Sequence, residues 1–193
     1  STLHERQPAR RRVVIPAYTC PLVPLAVHQA GLEAVPCDVR HGHFDFDPAA
    51  LRAACDERTL AIVPTHLGGR VADIGDALAA ANNVGAWVIE DAAQALGART
   101  RDGSSAGLAG DLGFFSLAAG KGLSIYEGGL LAARDPDLRE RLAHAAARIA
   151  PFQLGWELRR SVELVGYAAL YRPRGLALAY GNPLRRALRA GDP

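Results

Sequence analysis

The sequence predicts an α/β fold, a doubly wound and mainly parallel sheet with helices on both faces and a helical C-terminal tail. Three observations carry that prediction. Short unbroken apolar runs at 13–15, 60–63, 86–89 and 112–115 suit strands buried on both faces. Stretches with helical spacing separate the runs, as parallel connections require. Chemically distinctive residues then follow the ends of three runs: Thr65-His66, Asp91, and Ser116 with Lys121. Open α/β sheets bind ligands beyond the carboxyl ends of their strands.

Residues 1–12 are polar and basic and read as a loose arm. The β-branched run 13–15 ends at Pro16, and 21–30 has helical spacing with Gly31 as its stop. A second strand is expected over 33–39. His41-Gly42-His43 makes a turn, and Asp47-Pro48 caps a helix reaching Cys55. Strand 60–63 is stopped by Pro64, a helix covers 73–83, and strand 86–89 runs into Glu90-Asp91. Strands at 112–115 and 129–132 and a helix opened by Asp135-Pro136 complete a core over 13–149. Residues 150–193 read as a helical tail or the start of an incomplete C-terminal region, with apolar spacing at Phe152, Trp156, Leu164 and Tyr167, broken by Pro173, Gly175, Gly181 and Pro183.

The chain has 193 residues, room for one full core and a small second unit. A net charge of +2 is too small to argue for nucleic acid, and the arginine clusters at 10–12 and 185–189 read as solvated faces. Cys20, Cys37 and Cys55 are widely spaced with no CxxC pair, which suits a reducing cytoplasm and neither a zinc ribbon nor a disulfide framework. No apolar run reaches the ~20 residues that span a bilayer, so no membrane insertion is expected. No signal peptide is legible at the start.

Lys121 is the only lysine among 22 Lys and Arg residues. A position that keeps an amine in an arginine-rich chain suits Schiff-base chemistry, since an amine can lose its proton and attack a carbonyl. The plain alternative is a solvated loop lysine. Asp91 suits the pairing of a cationic ring nitrogen, or simply a helix N-cap. Gln94 would lie one helical turn further on the same side. Ser116, ahead of the small residues Ala118, Ala119 and Gly120, suits a phosphate or an ordinary turn. His41, His43, Asp45 and Asp47 can be drawn as metal ligands, but a loop ahead of a capped helix explains them better. Gly107, Gly110 and Gly113 do not make the dinucleotide fingerprint, and there is no GxSxG elbow.

The stretches VIPAYTCP (14–21), IVPTHLGGRVADI (62–74), VIEDAAQALGA (88–98) and GDLGFFSLAAGKGLSIYEGG (110–129) resemble the DegT/DnrJ/EryC1/StrS family. These are fold-type I, pyridoxal-phosphate-dependent aminotransferases acting mostly on nucleotide-linked keto sugars, for polysaccharide, lipopolysaccharide or antibiotic pathways. The resemblance covers about residues 13–145, with the motifs in family order. It implies that Lys121 holds pyridoxal 5'-phosphate covalently and moves the proton. It further implies that Asp91 pairs with the ring nitrogen, that Gln94 sits against the ring or its phenolic oxygen, that Ser116 binds the phosphate and that His66 lines the site. A lysine rather than a histidine at 121 implies transamination rather than sugar dehydration. A glutamate amino donor and a homodimer are implied as well.

The family pattern also has a glycine-threonine-serine segment ahead of the first motif, often an aromatic residue at the position of Cys20, and a C-terminal domain. By that pattern the chain reads as truncated at both ends. The alternative to a working aminotransferase is therefore a catalytically silent relative that keeps the fold as a cofactor- or partner-binding remnant. A nucleotide-binding α/β domain without pyridoxal phosphate is a third reading, and the missing glycine fingerprint counts against it.

Overall fold

Two faces are set by the alternation of side chains along the first strand. On β1 (Arg12–Pro16), Val14 packs to one side with Ile62 and Val88, while Val13 and Ile15 pack to the other with Ala61 and Val63. The register aligns them, Val14 beside Ile62 and Ile62 beside Val88. In this computed structural model residues 2–177 and 181–189 are described. The chain divides into two compact units, Ser1–Arg148 and Ile149–Pro193.

The first unit holds a six-stranded sheet in the order β2-β1-β3-β4-β5-β6. The strands are β1, β2 (Glu33–Cys37), β3 (Thr59–Ile62), β4 (Trp87–Asp91), β5 (Leu112–Ser116) and β6 (Gly129–Ala133). The first five pair in parallel and β6 pairs antiparallel to β5. The order reverses at β1, which places the topological switch between β1 and β3.

Helices cover both faces. Helix α3 (Pro48–Ala54) and α4 (Gly75–Val84) bury Leu51, Ala77, Ala80 and Ala81 against Val14, Ile62 and Val88. Asp47 caps α3 by accepting from the amides of Ala49 and Ala50 at 3.0 and 2.8 Å. On the other face α2 (Leu22–Gln29) lays Val23 and Val27 on Val13 and Ile15. Leu138 of α5 (Pro136–Ile149) is fully buried beside Leu3, Leu60 and Leu112.

The structure corrects the reading of the start of the chain. Residues 2–6 form α1 (Thr2–Arg6) rather than a loose arm, because Leu3 inserts into the cluster of Leu60, Leu112 and Leu138. The arginines that follow are fasteners: Arg10 donates to Thr59 O at 3.0 Å, Arg11 to Gly31 O at 2.6 Å, and Arg12 pairs with Asp56. The second strand stops at Cys37, two residues short of the expectation, and Val39 instead bridges Phe46 in the following loop.

The second unit contains α6 (Leu154–Leu170), α7 (Pro173–Leu176) and α8 (Asn182–Arg189). Along α6, Arg160 lies over the Trp156 ring, Glu163 pairs with Arg159 and Arg160, and Tyr167 stacks on Tyr171 at 5.1 Å. Residues 178–180 and 190–193 of the expected tail lie outside the described residues. Among the described residues no helix is long and apolar enough to cross a membrane.

Candidate active site

Three neighbouring strands deliver the predicted residues to one rim. Asp91 is the last residue of β4 and Ser116 the last of β5, with Phe114 and Asp91 in register. Beyond β3, Thr65 bridges Asp91: the Asp91 amide donates to Pro64 O and the His66 amide to Asp91 O, both at 2.9 Å. Lys121 sits in the β5–β6 connection. That loop folds back on itself, with the amides of Ala119, Lys121 and Ile125 donating to Tyr126 O, Ala118 O and Leu117 O. Gly120 at φ +83° permits the turn, and Tyr126, at φ 74°, is a non-glycine residue in the left-handed region, where the backbone is strained.

Asp91 is 4% exposed. The Ala93 amide donates to its Oδ1 at 3.0 Å, and its other oxygen takes no hydrogen bond among the described residues. Burial pushes its carboxyl above the usual range, an effect that the Ala93 bond and the Lys121 ammonium reverse only in part. Asp91 is thus a desolvated carboxylate with acceptor capacity to spare, close enough to the only lysine to feel its charge. No ion pair of Lys121 is formed among the described residues.

Lys121 and Gln94 line a polar cleft of about 380 Å³ together with Gly68, Gly69, Ala119, Gly120 and Gly122. Gln94 Oε1 accepts from the Gly68 amide at 2.8 Å, which ties the loop after β3 to the segment after β4. The structure corrects the local geometry expected here. Residues 92–98 form consecutive turns, with Ala95 donating to Ala92 O and Ala98 to Ala95 O, so Gln94 is not placed by a helical turn. Ser116 is half-buried, and its Oγ accepts from the Ala118 amide at 3.3 Å. Asp91, Ser116 and His66 are not part of the cleft lining.

His66 differs most from the sequence expectation. Its ring is 1% exposed and both nitrogens are engaged, so neither faces a substrate. The Ala72 amide donates to Nδ1 at 2.9 Å, which leaves Nε2 as the protonated nitrogen, 2.8 Å from Glu90 Oε2. Glu90, which the motif reading passed over, is the centre of this arrangement. Its Oε2 also accepts from the Gly107 amide at 2.9 Å, and its Oε1 from the amides of Ala109 and Gly110, both at 2.6 Å. Burial alone would raise the Glu90 carboxyl; the bonds from His66, Gly110 and Gly107 outweigh it and hold the group below its usual range. A charged residue directly after the apolar run 86–89 was the available signal.

The glycines that failed the dinucleotide pattern serve this cradle. Gly107 has φ +83°, and a Cβ on Gly113 would stand 1.8 Å from Gly107 O. The loop histidines and aspartates also have other work. Asp45, 5% exposed, pairs with Arg70 and accepts from the Asp73 amide at 3.3 Å, with His43 3.2 Å away. Among the described residues no three His, Cys, Asp or Glu side chains are grouped to hold a metal.

The model of the DegT/DnrJ/EryC1/StrS aminotransferase family matches residues 6–149. A dTDP-3-amino-3,4,6-trideoxy-alpha-D-glucose transaminase of Streptomyces venezuelae is 37% identical over 131 residues, 67% of this chain and 34% of the relative. GDP-perosamine synthase of Caulobacter vibrioides is 35% identical over 130 residues, 67% of this chain and 35% of the relative. Among solved structures, DesI in the presence of its TDP-sugar product superposes with a TM-score of 0.68 at 32% identity, covering 80% of this chain and 38% of that one. The sugar aminotransferase CalS13 from Micromonospora echinospora gives 0.69 at 28% identity, over 76% of this chain and 41% of that one. The chain spans about a third of the length of the curated relatives it matches.

Proposed function

The chain belongs to the DegT/DnrJ/EryC1/StrS aminotransferase family, and on that premise we propose that it is the cofactor-binding portion of a pyridoxal-phosphate-dependent aminotransferase for a nucleotide-linked keto sugar. The observation that carries the reading is Asp91. A carboxylate 4% exposed, raised by burial and with an oxygen unfilled among the described residues fits a pyridinium N–H. The cleft fits the rest of the group: a lone amine at Lys121, with open backbone at Gly120 and Gly122, where an added Cβ would meet nothing within 4 Å.

Pyridoxal phosphate, when bound, supplies an electron sink for the negative charge that develops at the carbon exchanging its amino group. The protein's part follows from its own side chains. Lys121 would hold the cofactor through its amine and would take and return the proton at that carbon. Asp91 would keep the ring nitrogen protonated, and the low exposure of the carboxylate would strengthen that pairing by excluding water. Gln94, held through Oε1 by Gly68, presents its amide at the cleft wall. Ser116 Oγ and the neighbouring amides suit the phosphate.

The sugars for which the relatives are named, dTDP- and GDP-linked, support the substrate class. Glutamate as donor, a homodimer and a cytoplasmic location extend the same family reading, and a sedimentation mass of one chain would refute the dimer. The decisive experiment mixes the purified chain with pyridoxal 5'-phosphate, follows visible absorbance, reduces with borohydride and locates the label by mass spectrometry. Label on Lys121, and none on Lys121→Ala, is the expected result. A folded chain that captures no cofactor overturns the enzyme reading and leaves the silent relative.

A further inference from the structure

We propose that Glu90 and His66 are a positioning pair for the Asp91 site, with Glu90 held as an anion and His66 as the neutral Nε2–H form. The proposal rests on the cofactor reading above for its consequence, but its geometry stands without it. Both side chains are 1% exposed and meet at 2.8 Å.

The protonation states follow from counting donors. Glu90 receives two at each oxygen: His66 Nε2 and Gly107 N at Oε2, Ala109 N and Gly110 N at Oε1. A protonated carboxyl would turn its own O–H against one of these donors. A doubly protonated His66 would likewise set Nδ1–H against the Ala72 amide that donates to it at 2.9 Å. The pair therefore holds a fixed charge and a fixed tautomer.

What the pair fastens is the rim. The His66 amide donates to Asp91 O, and the Asp91 amide to Pro64 O, so the segment 64–66 brackets the Asp91 backbone. Two residues past His66, the Gly68 amide holds Gln94. On its other side Glu90 grips the 107–110 loop that feeds β5, the strand ending in Ser116. One buried carboxylate thus joins the segments carrying Asp91, Gln94 and Ser116. Neither Glu90 nor His66 touches the cleft, so both act through other residues and not as catalytic groups.

His66→Gln and His66→Ala separate the possibilities. Glutamine can donate to Glu90 from its amide nitrogen, whereas alanine leaves Glu90 and the Ala72 amide without their partner. On the cofactor-free chain, hydrogen exchange at the amides of Asp91 and Gly107 should quicken at least tenfold in His66→Ala, while staying within about threefold of wild type in His66→Gln. Unchanged exchange at Asp91 in His66→Ala overturns the proposal, whether or not the chain takes cofactor. Where wild type captures pyridoxal phosphate, the alanine variant should bind it at least tenfold more weakly at a temperature where both are folded. A lowered melting temperature with unchanged affinity means a merely structural pair. Equal loss in the glutamine variant means that His66 works as a charged or proton-transferring group. Failure of wild type to bind cofactor refutes the function above and leaves the exchange result to decide this inference.

Discussion

Glu90 and Asp91 are neighbours on β4, both carboxylates and both nearly buried, at 1% and 4% exposure. Their titrations move in opposite directions. Glu90 has four donors from His66, Gly107, Ala109 and Gly110, so the protein supplies all the compensation its charge needs. Asp91 has one hydrogen-bonded amide, from Ala93, and its burial outweighs the pull of Lys121. Equal burial with unequal satisfaction separates a site closed on itself from one built to be completed by something else.

The closed side breaks most severely through its glycines. Gly113→Ala forces a Cβ to within 1.8 Å of Gly107 O, a backbone contact with nothing flexible to yield. The expected loss is about 4 kcal/mol or more, at the far end of single-substitution effects, read by urea unfolding or as failure to recover folded protein. Glu90→Gln comes next. An amide nitrogen must face two N–H donors in either orientation, and the expected cost is ~3 kcal/mol, from two buried donors left unpaired. Sign follows from its lowered titration: the contribution of Glu90 is present above its ordinary value of 4.5 and is lost as pH falls through the lower folded value. Wild type and Glu90→Gln should therefore converge in stability under acid.

The same chemical change one residue along should act the other way. Asp91→Asn removes a desolvated charge while keeping an oxygen for the Ala93 amide, so the cofactor-free chain should gain about 1 kcal/mol at neutral pH. The folded value of Asp91 lies above the ordinary 3.8, so its ionised form costs stability as pH rises through that window. The advantage of the asparagine variant should accordingly widen with rising pH and vanish under acid, in thermal melts run as a pH series. Pyridoxal phosphate binding should fall at least tenfold in the same variant. A loss of stability in cofactor-free Asp91→Asn would erase the contrast between the two carboxylates.

Much of the fold was legible because its cause is local. The runs at 13–15, 60–63 and 112–115 announce buried strands by having no polar side, and Asp47-Pro48 caps a helix through atoms two and three residues away. Lys121 stood out by composition alone, and Asp91 by closing an apolar run. Helix α1 was missed because a single apolar residue, Leu3, marks it, and that residue is buried only by Leu60, Leu112 and Leu138 from distant segments. The helical placement of Gln94 failed for a related reason, since its position depends on a bond to Gly68, 26 residues away.

By itself the sequence determined most of the segments that become strands and helices, which family the motifs resemble, and which side chains carry distinctive chemistry. Those are properties of short windows, where periodicity, caps and residue type act over a few positions. Only the tertiary structure decided that His66 turns away from the cleft, that Glu90 is satisfied and Asp91 is not, and that Gly107 and Gly110 turn their amides to a carboxylate. Each of those outcomes depends on contacts between residues 17 to 24 positions apart, such as Gly107 to Glu90 and Glu90 to His66. Sheet register brings such residues together, and no local pattern encodes which of two adjacent carboxylates will meet its donors.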